Sequence, residues 1–458
     1  MIQLNMPLRE ILNLPLTLRL NIFKESMRKE YTNPGKLLIA LLFFPLLVLA
    51  SFEKNGIHRI LPEDLVYVGA FRLPDDETGS YAKSWNYGGH SMTYYPYGDL
   101  NGPDDGYPGS IFAAGHAWEH QVSEIDIPVP IMSEIKNLND LNSAKTLQSF
   151  QDLMDVSDLE IPRTGLAYLP SQGSQTTPKL YFCWGYHMQD GPPDLTHGWC
   201  ELDLSTPQIQ GGWYLAGLPP HIQNMSTNDY MSEIPSEWAD THTPGMRLAT
   251  GRFRDGGWSG QGPALFAIGP WNQGNPPLSG AAIQNVPLIL YSSTYSYDSE
   301  NHTMNNHHHS DEWSGTAWIT AGDKSAVIFV GTKGFGDCWY GNPEGPCLEC
   351  ENRGWWSDEF RGQFLFYDTS ELAEVAAGIR QPWEPQPYAT MDIDRYLFNI
   401  TSNQQKHHVN ACRFDRISGV LYVFEYLADG DKPLIHVWKV ISDSDSPPKR
   451  NKKGGVRR

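Results

Sequence analysis

The chain has 458 residues, 34 basic and 53 acidic side chains, a formal net charge of −19 and 40% hydrophobic residues. Six basic residues fall within 1–50 and six in the tail 449-KRNKKGGVRR-458, so the body between them carries 22 basic and 50 acidic residues, a net charge of −28. Ordinary apolar content excludes a disordered chain, and so acidic a body repels nucleic-acid phosphates, which leaves only the tail, read as a solvated end, for such a partner.

The first element is the apolar run 37-LLIALLFFPLLVLASF-52, which follows Arg28, Lys29 and Lys36 and ends in small residues. It is short for a membrane span and contains Pro45. It therefore reads as a signal peptide cleaved after Ala50, with Met27 as a possible true start and an uncleaved anchor as the alternative. Residues 1–50 form this N-terminal extension, 60–441 the folded body and 442–458 the basic tail. The expected location is extracytoplasmic, secreted or periplasmic, with membrane contact only through an uncleaved N-terminal segment.

Beyond residue 60 one theme repeats: an apolar strand, a Gly/Asp/Pro turn, a second β-rich strand, a polar loop and a third strand. The pairs are 90–96 with 110–116, 164–170 with 179–186, 246–253 with 264–270, 315–321 with 326–332 and 408–414 with 420–426. Third strands follow at 121–128, 198–204, 287–293, 363–368 and 434–440. Five such units predict an all-β, five-bladed β-propeller, with a β-sandwich or another blade number as the alternative. Two insertions, 132–153 and 369–379, read as helices, the second capped by Thr369 or Ser370. The early strand 65–72 has no partner nearby, so it is expected to close the ring against 434–440.

The segments 115-GHAWEHQVSEIDIP-128 and 415-DRISGVLYVFEYLADGDKPLIHVWKV-440 resemble those of exported bacterial β-propeller proteins. The resemblance implies a fold and no site residue. The chain carries no sialidase-type Asp box and no WD or kelch signature.

In a propeller the innermost strands start, and the second strands end, on one face. The loops so placed carry many His and Trp residues, including 299-SENHTMNNHHHSDEWSG-315. Adjacent side chains diverge, so His307, His308 and His309 are not expected to ligate one ion together; they read as a solvated loop, with a rim contact to a ligand or metal as the alternative, and no metal site is assigned. His90, His116 and His408 are the acid–base candidates, and Trp118, Arg163, Arg247 and Trp313 the substrate-binding ones. Asp311, Glu312, Glu119 and Glu425 are the rim carboxylates open to a hydrolase.

These residue types suit a glycan or other extracellular ligand, handled by a polysaccharide lyase or glycosidase, or held by a non-catalytic propeller. A His converging with an Arg favours the enzyme, a lining of aromatics and amides the binder. No cofactor is expected apart from a possible structural calcium at 99-DLNGPDDG-106, where Pro103 departs from the EF-hand pattern and a plain turn also fits. The cysteines allow a Cys338 disulfide to Cys347 or Cys350, or half a zinc site, and a Cys183–Cys200 bridge, with Cys412 a buried thiol.

Overall fold

A computed structural model describes residues 58–442 apart from 76–78, 100–101, 103–104, 155–162, 186–194, 218–226, 228, 256–260, 293–301 and 342–353. The apolar run with its cleavage point, the basic tail, Cys347, Cys350 and half of the 99–106 loop lie outside the described residues.

After a short strand, β1 (His58–Arg59), and the strand β2 (Leu65–Arg72), the chain builds five small sheets in a ring, a five-bladed β-propeller. The first blade is β3 (Met92–Tyr95), β4 (Ser110–Ala114), β5 (Val122–Asp126) and β6 (Thr146–Gln151). The second is β7 (Thr164–Leu169), β8 (Lys179–Trp184), β9 (His197–Cys200) and β10 (Gln210–Leu215). The third is β11 (Tyr230–Glu233), β12 (Leu248–Gly251) and β13 (Gln261–Ile268), then β14 (Ala282–Ile283), which leaves to pair with β10, and β15 (Asn285–Tyr291). The fourth is β16 (Glu312–Ala321), β17 (Lys324–Tyr340), β18 (Trp355–Tyr367) and β19 (Ala389–Asp392). The fifth is β20 (Val409–Asp415), β21 (Val420–Asp429) and β22 (Lys432–Val440), completed by β2. Leu65 pairs with Val440 and Arg72 with Leu434, so the ring closes as the orphan strand predicts and β22 keeps no open edge.

The strands β3, β7, β11, β16 and β20 line the axis, each packed against the next. Apolar side chains fill the seams between blades, for example Tyr230, Leu265, Phe329 and Tyr367 in one cluster. Full burial of each such side chain contributes roughly 1.5–3 kcal/mol. On the axis, Arg413 of β20 is buried and donates to the carbonyls of Met92, Leu166 and Met231 at 3.1, 2.6 and 2.5 Å. One guanidinium thereby ties four blades together.

Several expectations are corrected. Residues 132–153 are not a helix: after a 3₁₀ turn at Leu138–Asp140 they form β6. Its sequence, TLQSFQ, exposes Leu147 and buries Phe150, and the free edge of β5 overrides the helical reading. The second helix exists as α2 (Thr369–Ala376), but its N-cap is Asp368, whose carboxylate accepts from Ser370 N at 2.8 Å. An unforeseen helix, α1 (Ser236–His242), joins β11 to β12. In the third blade the strand read as first, 246–253, is the second, because β11 occupies the axis. The second strand read at 326–332 does not end there but continues as β17 to Tyr340, forming an arm with β18 up to the pair Tyr340–Trp355.

No disulfide joins the described cysteines; Cys183, Cys200, Cys338 and Cys412 are free, Cys412 being buried as expected. A Cys183–Cys200 bridge is ruled out by register. Cys183 pairs with His197 and Cys200 with Leu180, which puts the two sulfurs on opposite faces of the sheet and in different core clusters. Among the described residues no helix is long and apolar enough to cross a membrane.

Candidate functional site

The starts of the inner strands do converge. His90 lies just before β3, Arg163 just before β7, Glu312 opens β16, and His407 and Asn410 flank the start of β20. With Trp118, Phe253, Arg254 and Tyr426 they line a pocket of about 270 Å³, which continues past Lys406, Trp356 and Gln405 into a groove of about 440 Å³. Glu312 is set by a close approach: a Cβ on Gly331 would fall on the Glu312 carbonyl oxygen, so only glycine lets β17 lie here. An isolated bridge between Arg254 and Glu312 fixes the third blade's loop to the fourth.

Arg163, only 5% exposed, lies with Nη1 2.7 Å from His90 Nδ1 and 3.3 Å from Asn410 Oδ1, and with Nη2 3.5 Å from Glu312 Oε2. Its guanidinium stacks over Phe253 at 4.2 Å. A guanidinium only donates, so His90 Nδ1 accepts from Arg163 and the His90 proton sits on Nε2. Burial, then the Arg163 charge, holds the His90 pKa well below the ordinary histidine value, and the ring is neutral. His90 is therefore a donor rather than a base.

The adjacent fifth blade supplies a second imidazole, and this one has a carboxylate partner. His407 Nδ1 lies 2.8 Å from Glu312 Oε2, and Arg254 Nη1 lies 3.4 Å from Oε1. Burial alone would raise the Glu312 pKa, but His407, Lys406 and Arg254 outweigh it and hold the carboxyl well below its usual range. An ionised carboxylate only accepts, so it takes the Nδ1 proton, and in the neutral imidazole of His407 the lone pair therefore lies on Nε2, on a side chain 41% exposed. His407 adopts φ +61°, a backbone conformation that costs on the order of 1–3 kcal/mol in a non-glycine residue. Tyr426 faces both imidazoles, its ring 6.0 Å from that of His90 and 6.1 Å from that of His407. Burial raises the Tyr426 pKa, so the phenol keeps its proton.

Among the described residues that line the pocket and groove, Glu312 is the one carboxylate, against the guanidinium groups of Arg163 and Arg254 and the ammonium of Lys406. An acidic protein thus has a cationic mouth.

His90, Arg163 and Trp118 are placed where the sequence analysis expects them. His116 is not in the lining: it is buried under Trp118, accepting from the Trp118 N–H at 3.3 Å, with Tyr81 packed on its ring at 4.1 Å. His408 turns away from the axis; its Nδ1 lies 3.0 Å from Asp394 and its N–H donates to Thr332 Oγ1. Trp313 is fully buried in the core between the third and fourth blades. Arg247 lies at the opposite end of the third blade, before β12, paired with Asp240 at 2.8 Å. Of the other rim carboxylates, Asp311 is buried against Lys333 at 2.9 Å, and Glu425 is buried with His436 at 2.7 Å and the backbone of Phe398 and Asn399. Glu119 is exposed and outside the lining.

Arg254, His407 and Tyr426 are among the lining residues that the sequence reading misses. Once β11 is recognised as the inner strand, the residues after β12 fall on the mouth, and Arg254 with them. Compared with protein-family models and with characterised proteins, the chain matches none, so every role above rests on geometry and chemistry.

Proposed function

We propose that the mouth binds an anionic saccharide of the uronate type and removes a proton next to its carboxylate, in the manner of a polysaccharide lyase. The observation that carries this reading is the Glu312–His407 pair set against the Arg163 and Arg254 guanidinium groups in one pocket. Arg254, the more exposed of the two, pairs with the substrate carboxylate and stabilises the negative charge that builds on it. His407 Nε2 takes the proton from the carbon bearing the carboxylate. The freed electron pair forms the carbon–carbon double bond, the bond to the glycosidic oxygen breaks, and Tyr426 gives that oxygen a proton. Trp118, half exposed, offers a face for a neighbouring sugar ring.

A glycosidase is less well supported. It needs two carboxyl groups on opposite sides of the bond, and among the described lining residues only Glu312 qualifies. The extracytoplasmic location proposed from the apolar run at 37–52 would bring the mouth to extracellular glycans.

The test is turnover of uronate-bearing and neutral polysaccharides, followed by the ultraviolet absorbance of the unsaturated product, alongside direct binding. His407→Ala is expected to cut turnover about 10²–10⁴-fold while leaving binding within a few-fold. Arg254→Ala is expected to raise KM. Binding of acidic glycans without turnover by the wild type would leave a non-catalytic binder. Failure to bind any acidic glycan would overturn the proposal.

A further inference from the structure

We infer a second site beside the mouth, a divalent transition-metal centre held by Asp255, His307 and His309. Their ligand atoms all lie within 4.8 Å of one another. The objection that consecutive histidines diverge holds for His308, whose Nδ1 turns to Ser357 Oγ at 3.3 Å. It does not hold for the alternate pair. Asn306 takes a left-handed backbone conformation, φ +59°, and the loop after it is pinned by Asp311. That buried carboxylate accepts from the His308 N–H at 3.0 Å, Lys333 Nζ at 2.9 Å and the Gly334 N–H at 2.9 Å. So held, the rings of His307 and His309 meet edge to face, centroids 5.5 Å apart, and His309 also stacks on Trp355 of the β18 arm at 4.4 Å.

The observation that points to a ligand is His307. Its side chain is only 6% exposed, and neither ring nitrogen makes a hydrogen bond among the described residues. Asp311 Oδ2, the nearby carboxylate, is 3.8 Å from Nδ1 and already engaged by Lys333. A buried imidazole with both nitrogens unmatched is unfavourable for the fold alone, and it is the form a metal takes as ligand. Asp255 supplies the negative charge; it already contacts His309 Nδ1, and a cation would replace the proton between them.

Two nitrogens and one oxygen select a borderline cation, zinc foremost, over calcium or magnesium, which require oxygen shells. Bonds of about 2.0–2.2 Å place tetrahedral ligand atoms about 3.3–3.5 Å apart, so small rotations of these side chains close the site. Three protein ligands leave a position for water. This inference stands on its own residues and does not depend on the lyase reading.

The experiment uses tag-free protein, stripped with a chelator and titrated with zinc and with cobalt(II), read by calorimetry, thermal melting and the cobalt visible spectrum. The expected result is saturation at about one equivalent, a raised melting temperature, and affinity at least about tenfold weaker in Asp255→Asn and in His309→Gln. His308→Ala, which removes the ring bonded to Ser357, is expected to bind as wild type does, and Cys338→Ser likewise. Absence of saturable binding by the wild type overturns the inference. So does unchanged affinity in both ligand variants, or loss of binding confined to the His308 or Cys338 variant. Because the readout is metal bound, a wrong lyase reading leaves it unaffected.

Discussion

Two buried arginines face the same axis and are used in opposite ways. Arg413 spends its donors on backbone carbonyls of three neighbouring blades, partners that are fixed and carry no titratable proton. Arg163, nearer the opening, contacts an imidazole, an amide oxygen and, at the longer distance of 3.5 Å, a carboxylate, and it borders a pocket. Both are almost fully buried, so burial of a charge does not by itself mark a functional site. The kind of partner marks it: carbonyls make a rivet, whereas titratable side chains beside open space make a site whose charge a ligand can join.

The sharpest way to break that contrast is to remove each guanidinium in turn. Arg413→Met leaves the carbonyls of Met92, Leu166 and Met231 without their donor and, at about 1–3 kcal/mol for each unsatisfied acceptor, is expected to cost at least about 3 kcal/mol, read from urea denaturation. Arg163→Met is expected to cost about 1–2 kcal/mol, because Glu312 keeps His407 and Arg254, while binding of acidic glycans is lost. Equal stability losses would mean that Arg163 is a second rivet.

Acid titration separates His197 in the second blade from Glu312 at the mouth by window. His197, inside the second blade, bonds Thr196 Oγ1 and the Thr227 carbonyl, and burial pushes its pKa down to about 3. The unfolded chain takes up that proton first as pH falls, so the stabilisation from neutral His197 is complete above about pH 6.5 and is lost progressively towards pH 3. Glu312 also has a depressed folded pKa, but as an acid. Its contribution is complete above about pH 4.5 and is lost as pH falls through its depressed folded value. His197→Gln is therefore expected to flatten the stability profile between pH 6.5 and 4.5, and Glu312→Gln to flatten it only below. Unfolding free energy measured across pH in the three proteins checks this; an identical upper limb in His197→Gln would refute it.

Gly331→Ala tests whether mouth and core are separable at all. The new methyl group would meet the Glu312 carbonyl, at the point where β16 passes β17. The expected cost is about 1–3 kcal/mol, with turnover falling further than the loss of folded protein explains. A variant that loses stability but keeps full activity would show that Glu312 is placed by other contacts.

The contrast also explains what could be read from the sequence. Blade strands such as VLYVFEY and KLYFCW carry their β pattern locally, so four of the five units and the closing strand were legible. β11, only YMSE, has too little apolar pattern to announce itself, and missing it carried Arg247 to the wrong face and hid Arg254. At the mouth the error was one residue. Alternation from Asn410 points His408 inward, but the left-handed backbone at His407 breaks the alternation and presents His407 instead. The arginine on the axis left no local trace, because its partners come from three other blades. Mouth and rivet are assembled by tertiary contacts, and only the strands around them are written locally.

The smallest expected effect is at Trp118, and it isolates binding from everything else. The indole is 50% exposed, held by the turn around buried His116, and it lines the pocket without entering a core cluster. Trp118→Ala should therefore change unfolding free energy by no more than about 0.5 kcal/mol. Loss of one aromatic face should weaken glycan binding by about 0.5–1.5 kcal/mol, or roughly 2–10-fold. Since Trp118 carries no charge, the loss should be equal at low and high salt, whereas the loss in Arg254→Ala should shrink as salt screens the wild-type attraction. Glycan affinity measured for both variants at two ionic strengths decides the matter. A salt-dependent deficit in Trp118→Ala would mean that the indole acts by shielding the Arg163–Glu312 pair from water, not by stacking on sugar.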